Sequence, residues 1–179
     1  MSPNMENVEF KAELRDLEAA RAQCRALPAR FMFVRPQLDT YYKLPDGRLK
    51  RREAPGVPVE WIYYHRADAV RPRLSTFAVL TDEQARTRWG TQSLREWVQV
   101  RKTRELWLLE NVRIHLDVVE NLGRFIEFEA QVTGKFDRQI CSESVVALRE
   151  AFAPVLGEPI AVSYGDLMAE VREDRPDDA

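Results

Sequence analysis

Cysteine is nearly absent from this sequence: Cys24 and Cys141 are the only two in 179 residues. They fall in separate helix-like segments without a CxxC spacing, which argues against a zinc cluster or a redox motif and reads both as small buried apolar residues. Long apolar runs are missing too, and no basic-then-apolar leader follows Met1. That argues against a membrane span or a secretory signal, and a cytoplasmic protein with no membrane partner is the simplest reading. An excess of either charge is also lacking, since 27 Lys and Arg stand against 29 Asp and Glu for a formal net charge of -2. Without a global basic field no nucleic-acid partner is expected, and any anion site must be local. The length is that of one domain able to bury a core without disulfide or metal staples. Residues 1–171 are read as that domain and 172–179 as a solvated, disordered acidic tail.

What the sequence does contain is alternation. "NVEFKAEL" sets Val8, Phe10 and Ala12 against Glu9, Lys11 and Glu13, and reads as a first strand. "DLEAARAQCRAL" has helical spacing, with Asp16 as N-cap and Pro28 as stop. "FMFVRPQLDTYYKL" and "RLKRRE" flank the turn signal "PDG", and "VEWIYYHR" and "LSTFAVL" flank the polar loop "ADAVRPR". A helix from Thr81 or Asp82 to Gly90 precedes the strand "VQVRKTRELWLL". "VRIHLDVV", the turn "ENLG" and "FIEFEAQV" then form the clearest hairpin. Helical spacing returns from Asp137 to Leu156, with Val145, Leu148, Phe152 and Leu156 on one stripe. Roughly eight strands with mostly hairpin connections predict an antiparallel α+β protein, for which a closed barrel is one solution.

In "RFIEFEAQV", Glu127 and Glu129 share one face while Ile126, Phe128 and Ala130 fill the other. An ordinary half-exposed strand has the same pattern. The polar faces of the other strands make it more informative: Glu9 with Lys11, Lys50 with Arg52, Arg66, Lys102 with Arg104, and Arg113, His115 and Asp117. Facing solvent, these make a wet sheet. Turned inward by a curled sheet, the cations converge with Glu9, Asp117, Glu127 and Glu129. Unpaired buried charges cost several kcal/mol each, so such a cavity is no dry core. It calls for a strongly anionic ligand and a cation for the acidic cluster. A small-molecule triphosphate with Mg2+ or Mn2+ meets both needs, with Lys and Arg on phosphate oxygens and carboxylates on the metal.

At these residues the chain resembles the CYTH superfamily, the triphosphate tunnel metalloenzymes, which include class IV adenylyl cyclases, thiamine triphosphatases and inorganic triphosphatases. "NVEFK" stands where the family has "ExExK". "GRLKRRE", "IYYHR" and "VRKTREL" resemble its basic strands, and "RIHLDVVENLGRFIEFE" its closing hairpin with "ExE". The likeness runs from about Asn7 to Phe152, and "SYGDL" near the end is similar to cyclase-like members. The resemblance implies an eight-stranded antiparallel β-barrel with flanking helices, whose tunnel binds a triphosphate. It implies Glu9, Asp117, Glu127 and Glu129 as metal ligands, and Lys11, Lys50, Arg52, Arg66, Lys102, Arg104 and Arg113 as phosphate-binding residues. Glu9, Lys11 and Asp117 would take part in the chemistry. One departure is Asn7, a neutral residue at the first motif position.

The implied reaction is metal-assisted attack on phosphorus. Hydrolysis of inorganic tripolyphosphate, thiamine triphosphate or a nucleoside triphosphate is favoured over cyclisation of ATP. The family's cyclases carry a His-Phe pair upstream of the first motif, and residues 1–6 contain neither. A polyphosphate or nucleotide sensor without turnover is the third alternative, and a homodimer is compatible with the sequence. His115 is placed to tune the site or to be a satisfied structural residue. His65 is assigned no role. Tyr41, Tyr64 and Trp107 are read as core packing, with stacking on a ring as the alternative. Arg71 and Arg73 are read as part of a solvated loop, with closure over a ligand as the alternative.

Overall fold

The computed structural model describes residues 4–90 and 94–173. The elements are β1 (Met5–Leu14), α1 (Leu17–Ala26), β2 (Arg30–Lys43), β3 (Arg48–Glu53), β4 (Glu60–Arg66), β5 (Arg73–Leu80), α2 (Asp82–Trp89), β6 (Glu96–Leu109), β7 (Val112–Val119), β8 (Gly123–Gln131), α3 (Arg138–Ala151), β9 (Leu156–Pro159) and α4 (Tyr164–Glu173). All strand pairs are antiparallel, in the order β5-β4-β3-β2-β6-β7-β8-β1, and β5 returns to β1 to close an eight-stranded barrel. β9 pairs with the last part of β1, at Ala12 and Leu14.

Alternation along each strand turns this barrel inside out. The apolar face of β1, β7 and β8 (Phe10, Ile114, Ile126, Phe128) points outward and packs beneath Ala20 and Cys24 of α1 and Cys141, Val145 and Leu148 of α3. A second outer cluster of Leu49, Trp61, Ala78 and Leu80 lies beneath Ala85 of α2. The polar faces therefore point inward. Both cysteines are buried, and burial pushes the Cys24 thiol up to about 12.

Local signals set the helix boundaries as expected. Asp16 and Asp137 cap α1 and α3 by accepting from Ala19 N and Ile140 N, Thr81 and Gln84 form a capping box on α2, and Gly90 ends it in the left-handed region. The end of the chain differs from expectation. α3 stops at Ala151, a short 3-10 turn covers Ala153–Val155, and Leu156 begins β9. Pro154 ends the helical ladder, because its ring nitrogen carries no hydrogen.

A helix the periodicity did not predict, α4, plugs one end of the barrel. Tyr164 and Met168 sit among the inward-facing Tyr41, Val98, Val100, Val119 and Phe125. Gly165 permits this seat, since a Cβ there would lie 2.8 Å from the Tyr41 ring. Arg172 and Glu173 belong to this helix rather than to the expected tail, and residues 174–179 lie outside the described residues. Among the described residues no helix is long and apolar enough to cross a membrane.

Candidate active site

The inward faces enclose a cavity of about 520 Å³ with charged walls. On the β2–β3–β6 wall the organising residue is Asp39, which is completely buried. Its carboxylate accepts from Arg52 Nε and Nη2, each at 2.7 Å, and from Lys102 Nζ at 2.7 Å, while Lys50 Nζ stands 3.6 Å away. Burial would raise this carboxyl, but Arg52, Lys102 and Lys50 hold it well below its usual range. Burial also pushes Lys102 well down, and Lys50 down to about 8, against the pull of Asp39. Next along the wall, Arg104 donates from Nε and Nη2 to the two oxygens of Asp117 at 2.8 and 2.6 Å, and the Tyr164 hydroxyl donates to Asp117 at 2.9 Å. Burial opposes the ionised form of Asp117, yet Arg104 brings its carboxyl down to about 2.

The opposite wall carries the acidic cluster, assembled by cross-strand register. Lys11, Glu127 and His115 are neighbours across β1, β8 and β7, and Arg73, Glu9, Glu129 and Arg113 are neighbours across β5, β1, β8 and β7. Glu9 Oε1 accepts from Arg73 Nε at 3.1 Å and is ion-paired with Arg66 Nε, also at 3.1 Å. Burial and the Glu127 charge nevertheless push the Glu9 carboxyl up. Glu127 goes the other way: burial would raise it, but Lys11, His115 and Arg104 hold it well below the usual carboxylate range. Burial lowers the Lys11 ammonium, which lies 4.3 Å from the Tyr164 ring centroid.

The structure brings Glu9, Lys11, Lys50, Arg52, Arg66, Arg104, Arg113, Glu127 and Glu129 to the cavity wall. Two expected residues stand apart from it. The Lys102 side chain is fully buried on Asp39 and does not line the cavity. Asp117, expected as a metal ligand, has both oxygens bound by Arg104 and Tyr164, so it positions Arg104. Arg73 is no loop residue; it begins β5, is buried on Glu9 and also donates to Ala69 O. Tyr41 and Tyr64 line the cavity, whereas Trp107 packs in the outer core and donates to Glu105. His115 sits between Glu127 and Glu129, at 3.7 and 3.9 Å, and His65 is exposed beside Tyr63.

Sequence reasoning missed Asp39, put Arg73 in a loop, and gave Tyr164 no role of its own. Asp39 was legible in principle, because it alternates with Arg35, Gln37 and Tyr41 on the strand that pairs with Lys50 and Arg52. For Arg73 the signal was a strand starting one residue before "LSTFAVL". For Tyr164 the signal was its place in "SYGDL", which carried no role because only the folding back of this segment puts it beside Asp117.

The donor chemistry fits a divalent cation. His115, Glu127 and Glu129 each offer a ligand atom, all within 4.8 Å of one another. Carboxylate oxygens suit Mg2+ or Mn2+, and the charge that Glu127 and Glu129 add, after burial, in raising the Glu9 carboxyl is what such an ion offsets.

A barrel whose inner wall is charged and whose apolar faces turn outward defines a tunnel fold, and comparison with known proteins places it. The CYTH domain matches residues 5–139, so the chain belongs to the CYTH family. Among solved structures it is similar to the PH1012 protein of Pyrococcus horikoshii OT3, at 20% identity and TM-score 0.69, covering 90% of this chain and 98% of that one. A putative adenylate cyclase from Vibrio parahaemolyticus matches at 19% identity and TM-score 0.69, over 92% and 98%. A putative adenylyl cyclase from Hippeastrum, described as revealing a dominant triphosphatase activity, matches at 14% identity and TM-score 0.58, over 96% and 98%. At these identities the likeness is one of fold. Comparison with curated proteins gives no significant match.

Proposed function

We propose that this protein is a metal-dependent triphosphatase acting on a small-molecule triphosphate. The observation that carries the reading is the convergence of Lys11, Lys50, Arg52, Arg66 and Arg104 with Glu9, Glu127 and Glu129 on one cavity closed at one end. Inward charges at this density are costly for a dry core and suit a polyanion with a counter-cation. Glu127 and Glu129, with Glu9 and His115 beside them, are the residues that would hold Mg2+ or Mn2+. When bound, the ion supplies charge neutralisation on the phosphate oxygens and polarisation of the attacked phosphorus.

The chain's own residues account for the remaining work. Arg52 and Arg104 present guanidinium groups already oriented by Asp39 and Asp117, so little reorganisation is needed when phosphate oxygens arrive. Lys50 and Arg66 extend the cationic line, and Lys11 balances Glu127 or contacts the attacked phosphate. Glu9, on the cavity wall beside the metal-holding carboxylates, is the group that would take a proton from the attacking water. The P–O bond to the leaving phosphate breaks as the water oxygen bonds to phosphorus, and the arginines stabilise the charge left behind.

The test is turnover of purified protein with tripolyphosphate, thiamine triphosphate and ATP, in Mg2+ and separately in Mn2+, scoring orthophosphate, pyrophosphate and cyclic AMP. Orthophosphate is the expected product. Pyrophosphate with cyclic AMP would instead make it a cyclase, the activity named for its Vibrio neighbour. Binding without any product would make it a sensor.

A further inference from the structure

The apolar outer face of the barrel is covered only in part. Arg35 and Gln37 of β2 line the cavity, so the alternate residues Val34, Pro36 and Leu38 turn outward. Val34 is 52% exposed, Pro36 is exposed and Leu38 half-buried, and none of the three belongs to a buried apolar cluster. Phe31, 50% exposed and edge-on to Trp107, continues the stripe toward the start of β2. Register sets Pro36 beside Thr103 of β6, and Thr103 beside Val118 of β7, which is 43% exposed. Pro36, Leu38, Thr103 and Val118 floor an outer groove of about 690 Å³. Contiguous exposed apolar surface of this kind marks an interaction site.

β2 also has a free edge, and its sequence guards it. β3 pairs with β2 only from Leu38 to Lys43, so among the described residues β2 from Arg30 to Gln37 has β6 on one side and no strand on the other. A bulge at Met32 and the missing N–H of Pro36 both interrupt that edge. The face of the strand, rather than its edge, is therefore the surface open to a partner.

The groove's charges say what the partner is. Arg101 and Glu120 both line it, with exposed side chains, and they are neighbours, since Glu120 N donates to Arg101 O at 2.9 Å. Neither side chain enters an ion pair among the described residues, whereas Glu53, at the other side of the groove, is already held by Arg51 at 2.6 Å. One free charge of each sign beside an apolar floor does not select a partner of single charge. It is complementary to itself: a two-fold axis passing between the two residues sets Arg101 of each copy on Glu120 of the other.

We propose that this outer face of β2, β6 and β7 is the contact between two copies of the chain, with Val34, Pro36, Leu38 and Val118 in the middle and two identical Arg101–Glu120 ion pairs at the rim. The contact does not depend on the triphosphatase reading. Eight residues from Phe31 to Leu38 and four adjacent strands span roughly 25 by 15 Å, or about 400 Å² per copy. A standard interface buries about 800 Å² per partner, so the dimer is a reversible one, in the micromolar range.

The experiment is sedimentation velocity on the purified full chain from about 1 to 300 μM. The mass should rise with concentration from that of one chain to that of two. Val118→Lys, Arg101→Glu and Glu120→Arg, all at exposed positions, should each weaken association by about tenfold or more, because every substitution acts twice across the axis. An equimolar mixture of Arg101→Glu and Glu120→Arg should associate as well as the parent, since one copy then supplies both anions and its partner both cations. A chain that stays monomeric throughout would overturn the proposal and leave the face to a different protein. So would a dimer unmoved by all three substitutions, which would lie on another surface, or a mixture no better than either variant alone.

Discussion

Replacing Asp39 with Asn removes one charge and leaves the shape almost unchanged, yet it takes a fully buried carboxylate from between Arg52 and Lys102. The carboxylate has no solvent exposure and is held by three hydrogen bonds of 2.7 Å from Arg52 and Lys102. Asn keeps one acceptor oxygen and puts an NH2 group against a cation. Breaking a buried ion pair from one side costs about 3–5 kcal/mol. Burial pushes Lys102 well down against the pull of Asp39, so removing that carboxylate weakens its hold on the proton further. For a chain of this size the loss lowers Tm by roughly 6–20 °C. Thermal unfolding followed by far-UV circular dichroism measures it directly. A loss below about 1 kcal/mol, the scale of an exposed pair, would refute the view that Asp39 organises this wall. The Asp39 carboxyl is held below its unfolded value, so its contribution is complete above about pH 4 and is lost only as pH falls through the depressed native pKa.

Other expectations concern the metal cluster, the plug and the phosphate cations. Glu129→Gln should lower turnover in Mg2+ or Mn2+ by about 100-fold while moving Tm by no more than about 2 °C; normal turnover would place the metal elsewhere. Gly165→Val drives a side chain into the Tyr41 ring, so α4 should lift, with faster amide hydrogen exchange over residues 160–170 and a loss of about 1–3 kcal/mol. Unchanged exchange would mean that α4 is not held by this contact. Lys50, brought down to about 8 by burial, is charged below that pH and neutral above it. kcat/KM for a triphosphate should therefore fall as pH rises through about 8, and Lys50→Met should be low throughout and lack that limb. If the limb persists in Lys50→Met, another group titrates there.

Much of this protein follows from local rules. Helix caps at Asp16, Thr81 and Asp137, the turn glycines and the period-two strands are consequences of backbone geometry, and they are read from residues next to one another. The same alternation separated Glu127 and Glu129 from Ile126 and Phe128, so the sequence already divided each strand into a polar and an apolar face. Alternation by itself did not say which face looks inward; that expectation came only from the likeness of "NVEFK" and the closing hairpin to the family's motifs. Either orientation satisfies alternation, and only closure of β5 onto β1, with α1 and α3 packed outside, makes the charged face a cavity. Which charges meet was likewise set by tertiary structure. Asp39 holds Lys102, Asp117 is taken by Arg104, and Tyr164 reaches Asp117 from 47 residues further along the chain. Partnership between distant side chains depends on register and on the path of the chain, which a single strand's pattern does not contain. Sequence alone determined a stock of charges with the chemistry for a polyanion and a metal; the fold decided which are spent on holding one another and which remain for a ligand.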